Sequence, residues 1–474
     1  MAVQNYKEKY PAAFPTLTES QMREVADVAE CRTYQDGDLL FKAGQTEFKF
    51  NVIRKGEIDI FDVSGNERQL LLTHGPFEFT GDIANLSGRS SNVDAVAKGK
   101  VEVYEICASE LKTIINERPE LSDTILKAFI ARSVALSESE VTGLRVIGSQ
   151  YSQDTFRIRD FLSKNRVLFT WTDADRDPNV GALLERFHVH LSDTPIVASG
   201  NEWILRNPSN RVLAEKIGIK QEFTEDLYDL VIVGGGPAGL AAAVYGASEG
   251  LKTLVLEMMA PGGQAGTSSK IENYLGFPTG VSGSELAARA TIQAQKFGAQ
   301  LNIPSKVTGL SFGSKHQIIE LESGEKLMSK ALIIATGAEY KKLAVANLSL
   351  FEGRGVYYAA TKMEALICKD QPVAVVGGGN SAGQAAIFLS NHASKVYLII
   401  RGKSLSITMS KYLDQRIIDC RDIEIHYNTE ITDIKGTEEP DAIAVLDKLS
   451  GEISEIKVAA VSYTHLTLPT NREV

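Results

Sequence analysis

The sequence predicts a multidomain chain: an N-terminal β-barrel or jelly roll with helices, a small α/β domain, and two doubly wound α/β domains. Three observations carry this. Short apolar runs separated by glycine-bearing turns recur between Cys31 and Ile106, strand and helix patterns alternate over about 150–222, and from Tyr228 a unit of strand, glycine loop and helix occurs twice. At 474 residues the chain exceeds what one hydrophobic core organises, and domain lengths of roughly 100–200 residues suggest three or four domains.

Composition narrows the function classes. Hydrophobic residues make up 43% of the chain, yet no continuous apolar run approaches the roughly 18 residues that cross a bilayer, so no membrane association is expected. The first residues, Met1-Ala-Val-Gln-Asn-Tyr-Lys-Glu-Lys9, lack the apolar core and cleavage site of a secretory signal, which predicts a cytoplasmic protein. Fifty Lys and Arg against 60 Asp and Glu repel polyphosphate backbones and argue against a nucleic-acid partner. The four cysteines, Cys31, Cys107, Cys368 and Cys420, form no C-x-x-C pair, so no metal site or local disulfide exchange is expected.

In the first segment, assigned to 15–145, turn signals stand at Asp36-Gly37-Asp38, Ala43-Gly44-Gln45, Lys55-Gly56-Glu57, Ser64-Gly65-Asn66 and His74-Gly75-Pro76. From Glu110 to about Leu144 the spacing turns helical, with Leu111, Ile114, Ile115, Leu121, Ile125, Leu126, Phe129 and Ile130 on one side. The stretches 34–45 (Tyr-Gln-Asp-Gly-Asp-Leu-Leu-Phe-Lys-Ala-Gly-Gln) and 50–60 resemble the first half of a cyclic-nucleotide-binding domain. In that family an acid beside a glycine takes the ribose hydroxyl, and an arginine about nine residues on takes the cyclic phosphate. The resemblance makes Gly81, Asp82, Arg89 and Ser91 the candidate ligand contacts. Ser91 stands where the arginine belongs and Arg89 lies two residues early. An uncharged serine forfeits the charge-assisted, bidentate donor that a phosphate diester favours. A sensor-shaped domain that is silent, or that reads another small-molecule effector, is therefore expected.

The second segment, assigned to 150–222, follows a polar stretch, 148–154, that suits a linker. Its pattern reads helix over 156–164, strand over 167–171, polar turn over 173–178, helix through Leu183, Leu184 and Phe187, strand over 195–198 and helix over 210–217. This alternation fits a thioredoxin-like fold. The sequence is similar to glutaredoxin-type domains at 159–165, at Thr194-Pro-Ile-Val197 in the place of that fold's cis-proline loop, and at Asn207-Pro-Ser209. No cysteine lies between Cys107 and Cys368, so thiol exchange lacks its thiolate and a spacer or docking domain is expected.

The third segment opens with Tyr228-Asp-Leu-Val-Ile-Val, then Gly234-x-Gly236-x-x-Gly239 and a helix of small residues. Gly234 permits the tight turn, Gly236 lets backbone approach a pyrophosphate at the helix N-terminus, and Gly239 allows helix and strand to pack closely. The next strand ends in Glu257, an acid suited to both ribose hydroxyls of an adenosine. The unit repeats as Gly377-x-Gly379-x-x-Ala382, with Asn380 and Ser381 inside it and a strand over 395–400 after it. There Arg401, followed by Lys403, replaces the acid, which favours a ribose 2′-phosphate and hence NADPH over NADH. Two Rossmann-like domains in one chain suggest a flavin in the first and a nicotinamide delivered from the second.

Gly262-Gly263-Gln264-Ala265, the stretch 270–278 (Lys-Ile-Glu-Asn-Tyr-Leu-Gly-Phe-Pro) and Ala335-Thr336-Gly337 resemble the thioredoxin reductase group, class II of the pyridine nucleotide-disulphide oxidoreductases. The resemblance implies FAD in a domain over 226–340, NAD(P)H in a domain over 341–461, and Gly263, Gln264, Asn273, Thr336, Gly337, Pro237 and Ala238 among the FAD contacts. In that group a Cys-Ala-Thr-Cys stretch holds the disulfide that the flavin reduces. Here the same place reads Ala359-Ala-Thr-Lys362, so disulfide reduction through this position is excluded and no catalytic residue is assigned. Reduced flavin is expected to pass electrons to an unidentified acceptor: oxygen, a quinone, or an iron–sulfur or flavin partner. Two alternatives stay open, a non-catalytic redox or nucleotide sensor, and a thioredoxin-disulfide reductase using thiols elsewhere. The group is compatible with a homodimer. Residues 462–474 follow neither the preceding pattern nor the group's continuation and read as a foreign tail, so the C-terminal return of the FAD domain is expected to be missing and flavin retention poor.

Overall fold

The computed structural model describes residues 4–46, 48–63, 68–137, 144–199, 203–268, 270–313, 315–337, 339–340, 343, 345, 347–358, 365, 368–437, 439–463 and 466–467. They divide into two compact units, one of residues 1–149, 157–260 and 290–334, the other of 150–156, 261–289 and 335–474.

The first unit begins with an antiparallel sheet of strands Glu30–Tyr34, Leu39–Phe41, Phe50–Asp62, Gln69–His74 and Val93–Ile106. The two longest pair along nearly their whole length, with register shifts around Lys55. Gly56 sits there at φ +88, where a Cβ would lie 2.9 Å from Val101 Cα, so the bulge requires glycine. One apolar cluster fills the sheet and includes Phe41, Ile53, Ile58 and Val101. Another, with Phe50, Phe79 and Phe129 at centroid separations of 5.3, 6.0 and 6.4 Å, joins the sheet to the helices. The helical pattern expected over 110–144 is two helices, Ala108–Glu117 and Pro119–Ser137. Pro119 has no N–H for the first helix and takes the opening position of the second.

The linker expected at 148–154 begins one residue too early. Gly148 ends a central strand, Leu144–Gly148, which pairs parallel with Phe169–Asp173 and antiparallel with Ile196–Ser199. A boundary between 145 and 150 thus cuts a strand, because five mostly apolar residues in a buried central strand give no alternation to read. The fourth strand, Trp203–Arg206, was not expected either. Helices Gln153–Lys164, Val180–Arg186 and Asn210–Lys216 complete the segment. The Thr194–Pro195 peptide is cis.

The rest of the first unit is a six-stranded sheet. Gln300–Asn302, Thr253–Leu256, Leu227–Val233 and Lys326–Ile334 run parallel, and Gln317–Leu321 and Val307–Phe312 continue it antiparallel. Leu230, Val231 and Ile232 are buried, as expected for a strand covered on both faces. The span expected as one FAD domain, 226–340, is divided, since 261–289 and 335–340 belong to the second unit. Gly262 and Gly263 have left-handed backbone, and a Cβ on Gly262 would collide with Ala287.

The second unit has a parallel sheet in the order Val356–Tyr357, Ala460–Tyr463, Pro372–Val376, Lys395–Ile399, Ile423–His426, with helices Asn380–Ser390 and Lys411–Ile418. A three-stranded antiparallel sheet, Thr429–Gly436, Pro440–Asp447 and Ile453–Lys457, adjoins it. Ser462 and Tyr463, the first residues of the stretch read as a foreign tail, are strand residues opposite Val375 and Val376, and both are buried. The parallel pairing, invisible in a four-residue run, decides their place. Leu466–Thr467 pairs with Glu339–Tyr340, and the rest of the tail lies outside the described residues.

Candidate dinucleotide sites

In the first unit, strand Leu227–Val233 delivers the chain to Gly234 at φ +109, and helix Pro237–Ser248 starts immediately after, capped by Gly236 in extended backbone. No side chain caps this helix, and a Cβ on Gly236 would meet nothing within 4 Å. Open space before unpaired helical N–H groups fits a pyrophosphate. Gly239 is closed by contrast: an added Cβ would overlap the Gly234 carbonyl oxygen and stand 3.3 Å from Ile232 Cγ2. Pro237 occupies the first helical position and Ala238 is exposed beside it.

Glu257 does more than the sequence suggested. Its Oε2 accepts from Gly235 N at 2.6 Å, and its Oε1 accepts from Met259 N at 2.8 Å and Ala260 N at 3.3 Å. The acid pins the glycine turn while a carboxylate with about four lone-pair sites keeps acceptor capacity for a ribose hydroxyl. The chain therefore fits the adenosine end of FAD on donor chemistry as well as on space.

The second unit repeats the plan. Gly377 lies at φ +141, Gly379 caps helix Asn380–Ser390 with nothing within 4 Å of a Cβ, and Ala382 is fully buried, so its methyl group packs the core. The Asn380 amide is engaged: Nδ2 donates to Ser410 Oγ at 2.8 Å and Oδ1 accepts from Ser410 N at 2.7 Å. Thr408 Oγ1 donates to Gly378 O at 2.6 Å. Thr408 and Ser410 were missed, although the hydroxyl-rich run 404–410 directly after the strand is a visible signal. Ser381 is part-buried, and Arg401 and Lys403 are exposed at the strand's end, where a 2′-phosphate would meet them.

Gly263 and Gln264 form a 3-10 turn, Gly263–Thr267, in which Thr267 Oγ1 donates to Gln264 O at 2.8 Å. Asn273 is exposed in a loop closed by the Ile271–Val281 bridge and braced by Arg416 Nη1 donating to Glu272 Oε2 at 2.9 Å. Thr336 and Gly337 follow strand Lys326–Ile334. These five residues all belong to the second compact unit, whereas Gly234, Gly236, Gly239 and Glu257 belong to the first. Ala359 and Lys362 lie outside the described residues.

In the N-terminal domain each candidate contact already has a partner. Asp82 Oδ1 accepts from Ala84 N at 2.7 Å, and burial holds its carboxyl above the ordinary range despite that bond and the nearby Arg132 and Arg89 charges. Ser91 is buried and donates to Val93 O at 2.8 Å, while Arg89 Nη1 donates to Asn165 O at 2.9 Å. Gly81, at φ +94, receives through its carbonyl a hydrogen bond from Arg132. Arg132, absent from the expected set, also donates to Ala13 O at 2.7 Å and Phe79 O at 3.0 Å and stacks on Phe79. Its signal was a lone arginine on an apolar helix. Among the described residues no cluster could hold a metal ion and no helix is long and apolar enough to cross a membrane.

Two glycine-loop units in one chain and the comparisons that follow define an NAD(P)H-dependent flavoprotein oxidoreductase. The sequence pattern of the pyridine nucleotide-disulphide oxidoreductases matches residues 228–463, and that of the cyclic nucleotide-binding domain matches 31–118. Streptomyces coelicolor thioredoxin reductase is 32% identical over 237 residues, 50% of this chain and 72% of that protein. Thioredoxin reductase of Borreliella burgdorferi is 35% identical over 252 residues, 52% of this chain and 75% of its own. A crystal structure of the Lactococcus lactis enzyme in its FR conformation is 30% identical, with a TM-score of 0.48, covering 50% of this chain and 78% of that one. The chain belongs to the pyridine nucleotide-disulphide oxidoreductase family, whose thioredoxin reductase members use FAD and NADPH.

Proposed function

We propose that this protein oxidises NADPH through FAD and delivers the electrons to an acceptor other than a dithiol-reduced disulfide, under the influence of its N-terminal domain. The observation that carries the proposal is the combination of two glycine-loop units with Ala359 and Lys362 at the places of the redox cysteines. Bound FAD supplies two-electron acceptance and one- or two-electron release. Of the four thiols, Cys31 and Cys107 belong to the N-terminal domain, and of the two that follow the first glycine loop Cys368 is 3% exposed inside an apolar core and Cys420 packs against the same core, so neither of these two is placed to exchange with a protein disulfide. Glu257 and Gly236 hold the flavin's adenosine and pyrophosphate, and Gly379, Arg401 and Lys403 receive the nicotinamide nucleotide. The second segment, four strands and three helices without cysteine, acts as a thioredoxin-like docking domain in a cytoplasmic protein.

The test is anaerobic titration of the FAD-loaded chain with NADPH, followed by a panel of quinone, oxygen, iron–sulfur and aromatic-disulfide acceptors. Flavin bleaching with re-oxidation by a non-disulfide acceptor is expected. Bleaching without any turnover would favour a sensor, and disulfide reduction abolished by alkylation would favour a thiol reductase.

A further inference from the structure

Glu257 is held by residues whose other hydrogen bonds lead to one turn of the N-terminal domain, 87–90. The first route runs through side chains. Arg89 Nη1 donates to Asn165 O at 2.9 Å, Asn165 Nδ2 donates to Met259 O at 2.9 Å, and Met259 N donates to Glu257 Oε1 at 2.8 Å. The second route reaches the backbone of the same residue. Gln221 Nε2 donates to Ser87 O, Asn302 Nδ2 donates to Gln221 O at 2.6 Å, and Glu257 N donates to Asn302 O at 3.2 Å. Lys220 braces that corner on Asn302 and on Ser305 Oγ at 2.9 Å, and Ser305 N donates to Glu257 O at 2.8 Å. Ser90 Oγ adds a bond to Ile217 O at 3.2 Å.

The connecting groups are stiff: Asn165 and Asn302 are 1% and 0% exposed. Such residues have no room to swing, so a displacement at one end of either route is passed on or breaks a buried hydrogen bond. Arg89 hydrogen-bonds a neutral carbonyl, a weaker partner than an anion, while the Asp82 carboxyl lies near enough to interact with its charge. Arg166 is close enough to add to the local positive charge; its pKa is lowered to about 10, first by burial and then by Arg89.

We propose that the 87–90 turn and Glu257 form one coupled element: drawing Arg89 away from Asn165, as an anionic ligand at that turn would, loosens the Glu257 corner and weakens FAD, and FAD in turn holds Arg89 on Asn165. The proposal rests on the flavin reading for its cofactor. Reciprocity follows from linkage, since each site must change the other's affinity by the same factor.

Hydrogen exchange on the full chain, with and without FAD, tests it. Arg89→Ala is expected to speed exchange at Met259 and Ala260 and to weaken FAD by about tenfold, within the usual range of coupling. Arg89→Lys, which keeps one charged donor, should restore part of both effects. Gln221→Ala cuts only the second route and should give the same pattern at lower amplitude. Arg54→Ala, which removes an exposed ion pair with Glu102 in the same domain, should change neither. Adding FAD to the unmodified chain should slow exchange over 87–90. Unchanged exchange at Met259 and Ala260 in both Arg89→Ala and Gln221→Ala would overturn the coupling. If the chain takes up no FAD, the flavin reading fails by itself, while exchange at those two amides still decides whether the turn is linked to Glu257.

Discussion

Gly239→Ala is the sharpest perturbation of the first dinucleotide unit. The added methyl would overlap the Gly234 carbonyl oxygen and approach the Gly234 carbonyl carbon to 3.0 Å and Ile232 Cγ2 to 3.3 Å. Carbon atoms rest at about 3.5–4.0 Å, so the helix Pro237–Ser248 must back away from its strand, and no flexible side chain end can yield in its place. Overpacking of this kind costs roughly 1–3 kcal/mol. The retreat also stretches the 2.6 Å bond from Gly235 N to Glu257, a contact to a charged group worth about 1.5–3 kcal/mol. Losing about 3 kcal/mol from the bound state corresponds to roughly a hundredfold in affinity. Flavin fluorescence quenching measures that affinity, and urea unfolding measures the folding share. Ala382→Gly is the control: its methyl fits the second unit, so removal should cost only about 1 kcal/mol. FAD affinity within twofold of the parent, with an unchanged unfolding midpoint, would refute the reasoning.

Acid should destabilise the N-terminal domain through His74 and Glu78. Burial holds the His74 imidazole down to about 4 from an ordinary 6.5, while Glu78, which burial alone would raise, is held at about 2 by hydrogen bonds from His74, Lys7 and the Gly75 N–H. An unfolded histidine takes its proton as pH falls through about 6.5, the folded one only near 4, so stability drops across that window by about 3 kcal/mol. Glu78 then extends the loss below pH 4.5, because its folded carboxylate resists protonation. His74→Gln should flatten the upper part of this dependence, read by hydrogen exchange of strand Phe50–Asp62 between pH 7 and 4; equal slopes would count against it. In the second unit, Arg401→Glu should raise the KM for NADPH roughly 10- to 100-fold, as expected for one lost charged contact, while sparing NADH. Equal effects on both nucleotides would remove Arg401 from the 2′-phosphate.

Both glycine units were legible because their determinants are local: a buried strand, three fixed small residues and a charge at the end of the next strand fall within a short stretch of chain. What escaped was set by contacts distant in sequence. Arg89 and Asn165 are 76 positions apart and Asn165 and Met259 are 94, so no spacing announces their bonds. Strand Leu144–Gly148 was hidden for a related reason, since a central strand buried on both faces loses the alternation that marks an exposed one. Ser462 and Tyr463 resembled no expected continuation, yet the edges of Val356–Tyr357 and Pro372–Val376 accept them in parallel register. Two local signals were overlooked: Pro119, because the apolar spacing runs straight through it, and the hydroxyl-rich run 404–410 that supplies Thr408 and Ser410 to the second glycine loop.

The two units share one plan and differ in the exposure of their charged residue, part-buried for Glu257 and exposed for Arg401, and on the proposed reading that difference bears on what each does with its nucleotide. Glu257 meets three backbone N–H groups through its carboxylate and is fixed on both sides by Asn302 and Ser305, so little freedom remains to be lost when a ribose arrives. Such preorganisation suits a cofactor that stays bound through many turnovers. Arg401 stands exposed at the end of its strand, with Lys403 exposed two residues on. An exposed cation attracts a phosphate through a screened field and gives it up easily, which suits a nucleotide that must leave after each hydride transfer. On the proposed reading the first glycine loop would hold the resident flavin and the second the exchanging nicotinamide nucleotide, and the pre-set Glu257 carboxylate favours that assignment.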